Sequence, residues 1–219
     1  MKITNEIFQV GGSNLTASED AAVYLINFDD HAALIDAGTG RQHDRLLSNI
    51  RKCGVNSDQI EYLLLTHCHY DHTGGVRSLQ EDLIIETVAH ELDVPYMESG
   101  DNVVTAASWY GANLTPFTVD RKLTEKYETI NLGSKTITAI HTPGHSPGSV
   151  VYMAESENNK VLFAQDLHGP IDPELLSNKR SYLESLSLIL SLNADILCEG
   201  HFGVFKGSNE VFNFIQSFI

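Results

Sequence analysis

Three features of the 219-residue chain predict a mixed α and β domain. Short apolar runs with two-residue alternation recur in both halves, stretches with helical apolar spacing fall between them, and no shift in composition marks a linker. The class is α+β, read as a single domain over residues 1–219 and long enough to bury a full core without covalent crosslinks.

In chain order, strand-like runs occupy residues 2–10, 21–28 and 31–36, and the Gly38-Thr39-Gly40 turn leads to a helix through about Lys52. A strand is expected over 61–66, a helix over 71–80 and a returning strand over 83–89. Pro95, Gly100, Gly111 and Pro116 interrupt the pattern between 95 and 122, which marks a loop or short-helix lid. Strands follow near 128–131, 135–141, 149–154 and 160–164, so the second half repeats the order without repeating the sequence. Pro173 can open a helix at its first turn, and Leu176, Leu183, Leu186 and Leu190 recur at helical spacing down to Leu192. A last strand spans 194–198, and Val211, Phe212, Ile215, Phe218 and Ile219 make an amphipathic C-terminal helix.

The chemistry concentrates after the apolar run Tyr62-Leu63-Leu64-Leu65, where His67, His69, Asp71 and His72 fall within six positions. Residues two apart on a strand share a face, so His67 and His69 converge while Cys68 and Tyr70 turn away. Imidazoles with a carboxylate suit zinc, iron or manganese, and two adjacent clusters of this kind can hold two ions. A solvated turn has no reason to place four ligands directly after a buried strand.

His67-x-His69-x-Asp71-His72 with Gly74-Gly75 resembles the metal-binding motif of the metallo-β-lactamase superfamily. Four further segments are similar to that family's in the same order: Leu34-Ile35-Asp36-Ala37-Gly38, Thr142-Pro143-Gly144-His145-Ser146-Pro147-Gly148-Ser149, Leu162-Phe163-Ala164-Gln165-Asp166 and Cys198-Glu199-Gly200-His201. The resemblance covers about residues 20 to 205 and implies an αββα sandwich of two mixed sheets between helix layers. It implies one ion on His67, His69 and His145, a second on Asp71, His72 and His201, and Asp166 bridging them, with zinc as the default metal. Asp71 and Asp166 then carry the catalytic roles, and a hydroxide shared by the two ions attacks the substrate. Asp36 is expected to orient a ligand from behind, since metal-bound histidines donate their second ring nitrogen to such a carboxylate.

His168, two residues after Asp166, is a candidate to point at the substrate, and Trp109 and Tyr110 are candidates to line its pocket within the 95–120 lid. His31, His43, His90 and His141 have no ligand spacing, and Cys68 reads as a small apolar residue behind the site.

The net charge of −15 disfavours nucleic acid, which normally meets a basic footprint, and fits a small or neutral substrate. Three cysteines without a CxxC pair suit a reducing compartment. With neither a signal-peptide pattern at the N-terminus nor a membrane-length apolar stretch, a cytoplasmic location is expected. The oligomeric state is left open, a homodimer included. Within the family, the ligand set is similar to that of the glyoxalase II branch, although the chain ends soon after His201, where that branch adds a glutathione-gripping helical region. The expectation is a dinuclear hydrolase of a small ester, thioester or lactone. The alternatives are a persulfide dioxygenase with one iron on His67, His145 and Asp166, a zinc β-lactamase-like amide hydrolase, and a non-catalytic binding module.

Overall fold

The computed structural model describes residues 1–164 and 166–219; Gln165, in the fourth motif, lies outside the described residues. The chain enters with β1 (Ile7–Gly11), β2 (Val23–Phe28) and β3 (His31–Ile35), which pair antiparallel in sequence. Helix α1 (His43–Lys52) then crosses to β4 (Ile60–Leu64), and α2 (Tyr70–Thr73) with α3 (Val76–Asp82) leads to β5 (Glu86–His90). Helix α4 (Val94–Ser99) and a short turn of 3-10 helix at Ala107–Tyr110 precede β6 (Arg121–Leu123). Strands β3 to β6 run parallel, so the first sheet is mixed, with order β1-β2-β3-β4-β5-β6.

The second sheet is built from β7 (Tyr127–Leu132), β8 (Lys135–His141), β9 (Val150–Ser156), β10 (Asn159–Phe163), β11 (Ile196–Cys198) and β12 (Val204–Lys206), and its spatial order is β12-β11-β10-β9-β8-β7. Its single parallel pair, β10 with β11, is joined through α5 (Lys179–Ser191); α6 (Ser208–Gln216) closes the chain.

Two-residue alternation divides the strands between layers. Tyr24, Ile26 and Phe28 of β2 face the second sheet and meet Ile137, Tyr152 and Phe163, whereas Val23 and Leu25 face α1, packing with Leu46 and Ile50. Leu162 and Leu197 turn the other way, onto Leu186, Ile189, Val211 and Ile215 of α5 and α6. The architecture is therefore an αββα sandwich.

Two buried tyrosines between the sheets carry polar tips toward one edge. Tyr24 donates to the Glu199 carbonyl (2.6 Å) and Tyr152 to that of Leu65 (2.9 Å), so the inner core is tied to two of the loops that leave that edge. Replacing either by Phe would leave a buried carbonyl without its donor, at a cost of about 1–3 kcal/mol.

Several expected elements are corrected. Residues 2–6 fold back instead of extending β1, with Lys2 bridging Phe8 and the amides of Ile3 and Thr4 both on the Ile7 carbonyl. The helix expected over 71–80 is split at Gly74-Gly75, where a Cβ on Gly75 would sit 2.4 Å from the Ala37 carbonyl. Leu176 is not on α5: Asn178 caps that helix by accepting from the Ser181 amide (3.0 Å), and Leu176 lies before it in a left-handed conformation. Phe212 faces outward from α6, while Val211 and Ile215 are buried.

Candidate metal centre

Four connections at one edge of the sandwich converge: the segment after β4, the β8–β9 loop, the segment after β10 and the β11–β12 turn. His67 and His69 follow the end of β4, His69 with an extended backbone, and the β8–β9 loop brings His145 to them. The three rings lie edge to face, with centroids 4.5 to 4.7 Å apart. That loop can approach so closely because residue 144 is glycine: at φ +141°, its Cβ would lie 2.3 Å from the Tyr182 backbone of α5. The Asn178 amide and the Ser185 hydroxyl hold it there through the carbonyls of Gly144 (2.8 Å) and Pro143 (2.7 Å).

Asp166 enters between the groups, with Oδ2 3.3 Å from His145 Nε2 and Oδ1 3.2 Å from both His72 Nε2 and His201 Nε2. Asp71 Oδ2 lies 3.2 Å from His201 Nε2. Ligand atoms of His67, His69, His145 and Asp166 fall within 4.8 Å of one another, and so do those of Asp71, His72 and His201. A third grouping at the same spacing joins Asp166 and His201 to His168.

Behind these residues, carboxylates fix two of the rings and the backbone of the ligand loops. Asp36 accepts from the Thr66 amide (2.8 Å), the Thr66 hydroxyl (2.7 Å) and His72 Nδ1 (2.7 Å). Glu199, fully buried, accepts from His168 Nδ1 (2.8 Å) on one oxygen and from the amides of His201 (2.6 Å) and Phe202 (2.8 Å) on the other. Asp93, also fully buried, takes the Cys68 amide (3.0 Å), the Ser146 hydroxyl (2.6 Å) and the Gly148 amide (2.6 Å), stapling the first ligand loop to the His145 loop.

The clamps at Asp93 and Glu199 escape sequence reasoning. Asp93 has no spacing relation to the ligands, and its one local mark is a place before a Val94-Pro95 helix start. Glu199 stands in a recognised segment, yet nothing local says that its side chain is buried.

The lid candidates part company: the Tyr110 phenol lies against Asp71, its ring 5.6 Å from Tyr70, whereas Trp109 is 49% exposed. Cys68 is buried behind the ligand loop, and burial beside Asp93 pushes its thiol pKa well up, which leaves it inert as a nucleophile. His90 and His141 stack on each other at 3.7 Å, His31 pairs with Glu61, and His43 contacts Asp82 at 2.8 Å.

The electrostatics divide the centre. Burial and the neighbouring imidazoles hold His67 well below the usual histidine range, and burial with His145 beside it takes His69 down to about 3. Burial also opposes charge on His72, but the carboxylates of Asp166, Asp71 and Asp36 outweigh it and hold this ring well above the ordinary value. His201, against burial, is raised to about 10 by hydrogen bonding to Asp166 and Asp71. Asp166 is lowered despite its burial, chiefly by His72.

The donor set fits divalent metal ions. Nε2 of His67, His69 and His145 are buried without a hydrogen-bond partner, a costly arrangement unless another group occupies the space they face, and His72 Nε2 meets only the Asp71 and Asp166 carboxylates there. The Nδ1 atoms of three of these rings are spent: His72 on Asp36, His145 on the Pro170 carbonyl (2.9 Å), and His67 on the Thr66 hydroxyl (3.0 Å). With Nδ1 donating, a neutral ring presents a lone pair at Nε2, the form a metal ligand needs, and His72 reaches that form on giving up its Nε2 proton. Nitrogen and oxygen donors without sulfur suit zinc, iron or manganese.

This fold and donor set define a metal-site protein of the αββα class. Residues 19–201 match the family model described as metallo-beta-lactamase superfamily, and the chain belongs to that family. It is 32% identical over 123 residues to a probable metallo-hydrolase of Methanocaldococcus jannaschii, covering 56% of this chain and 57% of that protein. It is also similar to acyl-coenzyme A thioesterase MBLAC2 of Gallus gallus (26% over 227 residues, 91% of this chain, 78% of that one). Hydroxyacylglutathione hydrolase GloC of Haemophilus influenzae is 28% identical over 155 residues, which is 70% of this chain and 68% of that one. Among solved structures, a subclass B3 metallo-beta-lactamase of Bradyrhizobium japonicum superposes with a TM-score of 0.80 at 25% identity, covering 100% of this chain and 89% of that one. Among the described residues, no helix is long and apolar enough to cross a membrane.

Proposed function

We propose that this chain is a metal-dependent hydrolase of a small ester, thioester or lactone, with two divalent ions, zinc by default, on His67, His69, His145, Asp71, His72 and His201 and with Asp166 shared between them. The observation that carries the reading is the convergence of the two ligand clusters on the Asp166 carboxylate, with Nε2 of His67, His69 and His145 buried and without a hydrogen-bond partner. One relative is named an acyl-coenzyme A thioesterase and another a hydroxyacylglutathione hydrolase, which favours a thioester among the three bonds.

Ions bound there would supply Lewis acidity, polarising a carbonyl oxygen and acidifying water. The protein supplies the rest. Asp36 holds the His72 ring in orientation, Glu199 fixes the His201 backbone through its amide, and Asp93 keeps two ligand loops in register. Tyr110 brings a phenol to the Asp71 side, and His168, turned by Glu199 through Nδ1, keeps its other nitrogen for a partner beside Asp166 and His201.

Elemental analysis of gently purified protein, combined with assays of a thioester, an ester, a lactone and a β-lactam and with oxygen uptake on a persulfide, tests the proposal. Two ions per chain with metal-dependent acyl hydrolysis are expected. One ion that added metal does not change, with oxygen consumed and no acyl bond cleaved, would overturn it in favour of the dioxygenase reading. Preferential cleavage of the β-lactam would favour the amide hydrolase.

A further inference from the structure

We infer that the acyl group this site accepts is an apolar, uncharged chain, seated on a rim made by Val103, Trp109, Leu176 and Phe202; the inference rests on the hydrolase reading above. Single exposed apolar residues are ordinary on a protein surface. These four are set apart by position, because they stand on three separate segments, each of which directly touches a residue of the metal centre.

The 101–111 segment accepts the Tyr70 amide on the Thr105 carbonyl (2.7 Å) and lays Tyr110 against Asp71. It carries Val103 and Trp109, 51% and 49% exposed. The 170–177 segment accepts from His145 Nδ1 at Pro170 and returns the Ser177 hydroxyl to the His145 carbonyl (2.6 Å). It carries Leu176 at 44% exposure, held outside α5. Phe202 follows His201 directly and is 60% exposed.

The rim is also held in place. Phe202 has its amide on Glu199 and its ring 4.9 Å from His168 and 5.9 Å from Phe214. The Trp109 turn is bounded by left-handed Ala106 and Gly111, and Arg41 anchors it through the Tyr110 carbonyl (3.2 Å). Side chains fixed in water around a reaction centre gain most from an apolar group placed on them, because their ordering cost is already met.

Charge selects the kind of chain. Residues 101–119, 166–178 and 201–205 contain no lysine or arginine, whereas Asp101, Asp172 and Glu174 stand among them. Arg41 reaches this region already paired with Glu19 (2.6 Å). Lys179 and Arg180 follow on the first turn of α5, and Arg180 pairs with Glu184 (3.0 Å). A carboxylate at the far end of the acyl chain would therefore meet acidic neighbours and no free cation on these segments, while a neutral chain would lose nothing.

The test uses the metal-loaded protein and acyl thioesters of N-acetylcysteamine, a small neutral thiol. From acetyl to octanoyl, kcat/KM is expected to rise by about threefold to fourfold per methylene that reaches the rim. Octanoyl is expected to exceed its ω-carboxylated counterpart of equal length by about tenfold or more. Trp109→Ala and Phe202→Ala should each lower the octanoyl-to-acetyl ratio by about tenfold while metal content stays at the wild-type level. Ile84→Ala, a fully exposed apolar residue just before β5, should leave the ratio unchanged. Hydrolysis with a flat chain-length profile, equal use of the ω-carboxylated chain, or ratios unmoved by both rim variants would overturn this inference and leave the hydrolase reading intact. Absence of all metal-dependent thioester hydrolysis would overturn both.

Discussion

The two halves of the metal centre are built from the same residue types and hold opposite charge states. Around His67, His69 and His145, desolvation and mutual imidazole repulsion dominate at His67 and His69, which are held neutral with His69 near 3. Around Asp71, His72 and His201, three carboxylates outweigh burial, and His201 stays protonated to about 10. Without metal, His67 and His69 already favour the neutral form that offers lone pairs, while His72 and His201 favour the charged form and must give up protons before they can ligate. On the proposed two-ion reading, the first cluster is expected to load more readily, with Asp166, lowered well below the usual carboxylate range, available to both.

Removing Asp166, which the proposal shares between the clusters, is the most damaging way to break the contrast. Asp166→Ala is expected to lower occupancy of both clusters and to reduce hydrolysis by several orders of magnitude; a variant that keeps two ions on elemental analysis would contradict the bridging role. His201→Ala should strip the second cluster alone, leaving about one ion and activity down by orders of magnitude. Unchanged metal content with full activity would place His201 outside the centre.

The orienting carboxylates come next. Asp36→Asn should weaken metal affinity or activity by about 10-fold to 100-fold, acting on the second cluster through His72. Equal loss from both clusters in a titration with metal would show that Asp36 acts through the fold instead.

Proton linkage sharpens the comparison further. Because His72 and His201 are protonated at pH 7 in the metal-free chain, loading the second cluster should release a proton from each, and affinity should climb with pH below their raised pKa values. Calorimetry in buffers of different ionisation enthalpy reads this directly, and metal uptake without proton release would refute it.

Stability of the metal-free protein carries the same signature at both ends of the pH scale. His201 has a folded pKa raised from 6.5 to about 10, so its contribution is complete below 6.5 and is lost as pH rises through about 10. His69, depressed from 6.5 to about 3, acts in reverse: below 6.5 only the unfolded chain binds its proton, and stability falls with pH until about 3. Thermal denaturation across pH should therefore show a maximum near pH 6.5 with a decline on either side, toward about 3 and toward about 10, and added metal should flatten the alkaline side by replacing the protons on His201 and His72.

The smallest expected signal is optical. Trp109 is the single tryptophan and is half-exposed beside the centre, so an apolar product such as octanoate should shift its emission, with a weaker response from acetate.

What the sequence alone could specify follows from local periodicity. The run His67 to His72 is a strand end, where two-residue alternation and a tight turn decide which side chains converge, and the alternation in β2, β9 and β10 sorts residues between layers for the same reason. Edge strands β6 and β12, each three residues long, are too short for any periodicity to register. Leu176 shows the opposite failure: it keeps helical spacing with Leu183, but the cap at Asn178 starts the helix after it. The meeting of His145, Asp166 and His201 with the first ligand run, the burial of Asp93 and Glu199 behind them, and the exposure of Val103, Trp109, Leu176 and Phe202 on segments that touch the centre were decided by tertiary structure. Each depends on which strand ends share one edge of the sandwich, and contacts between residues far apart in the chain leave no periodic mark in the segments that make them.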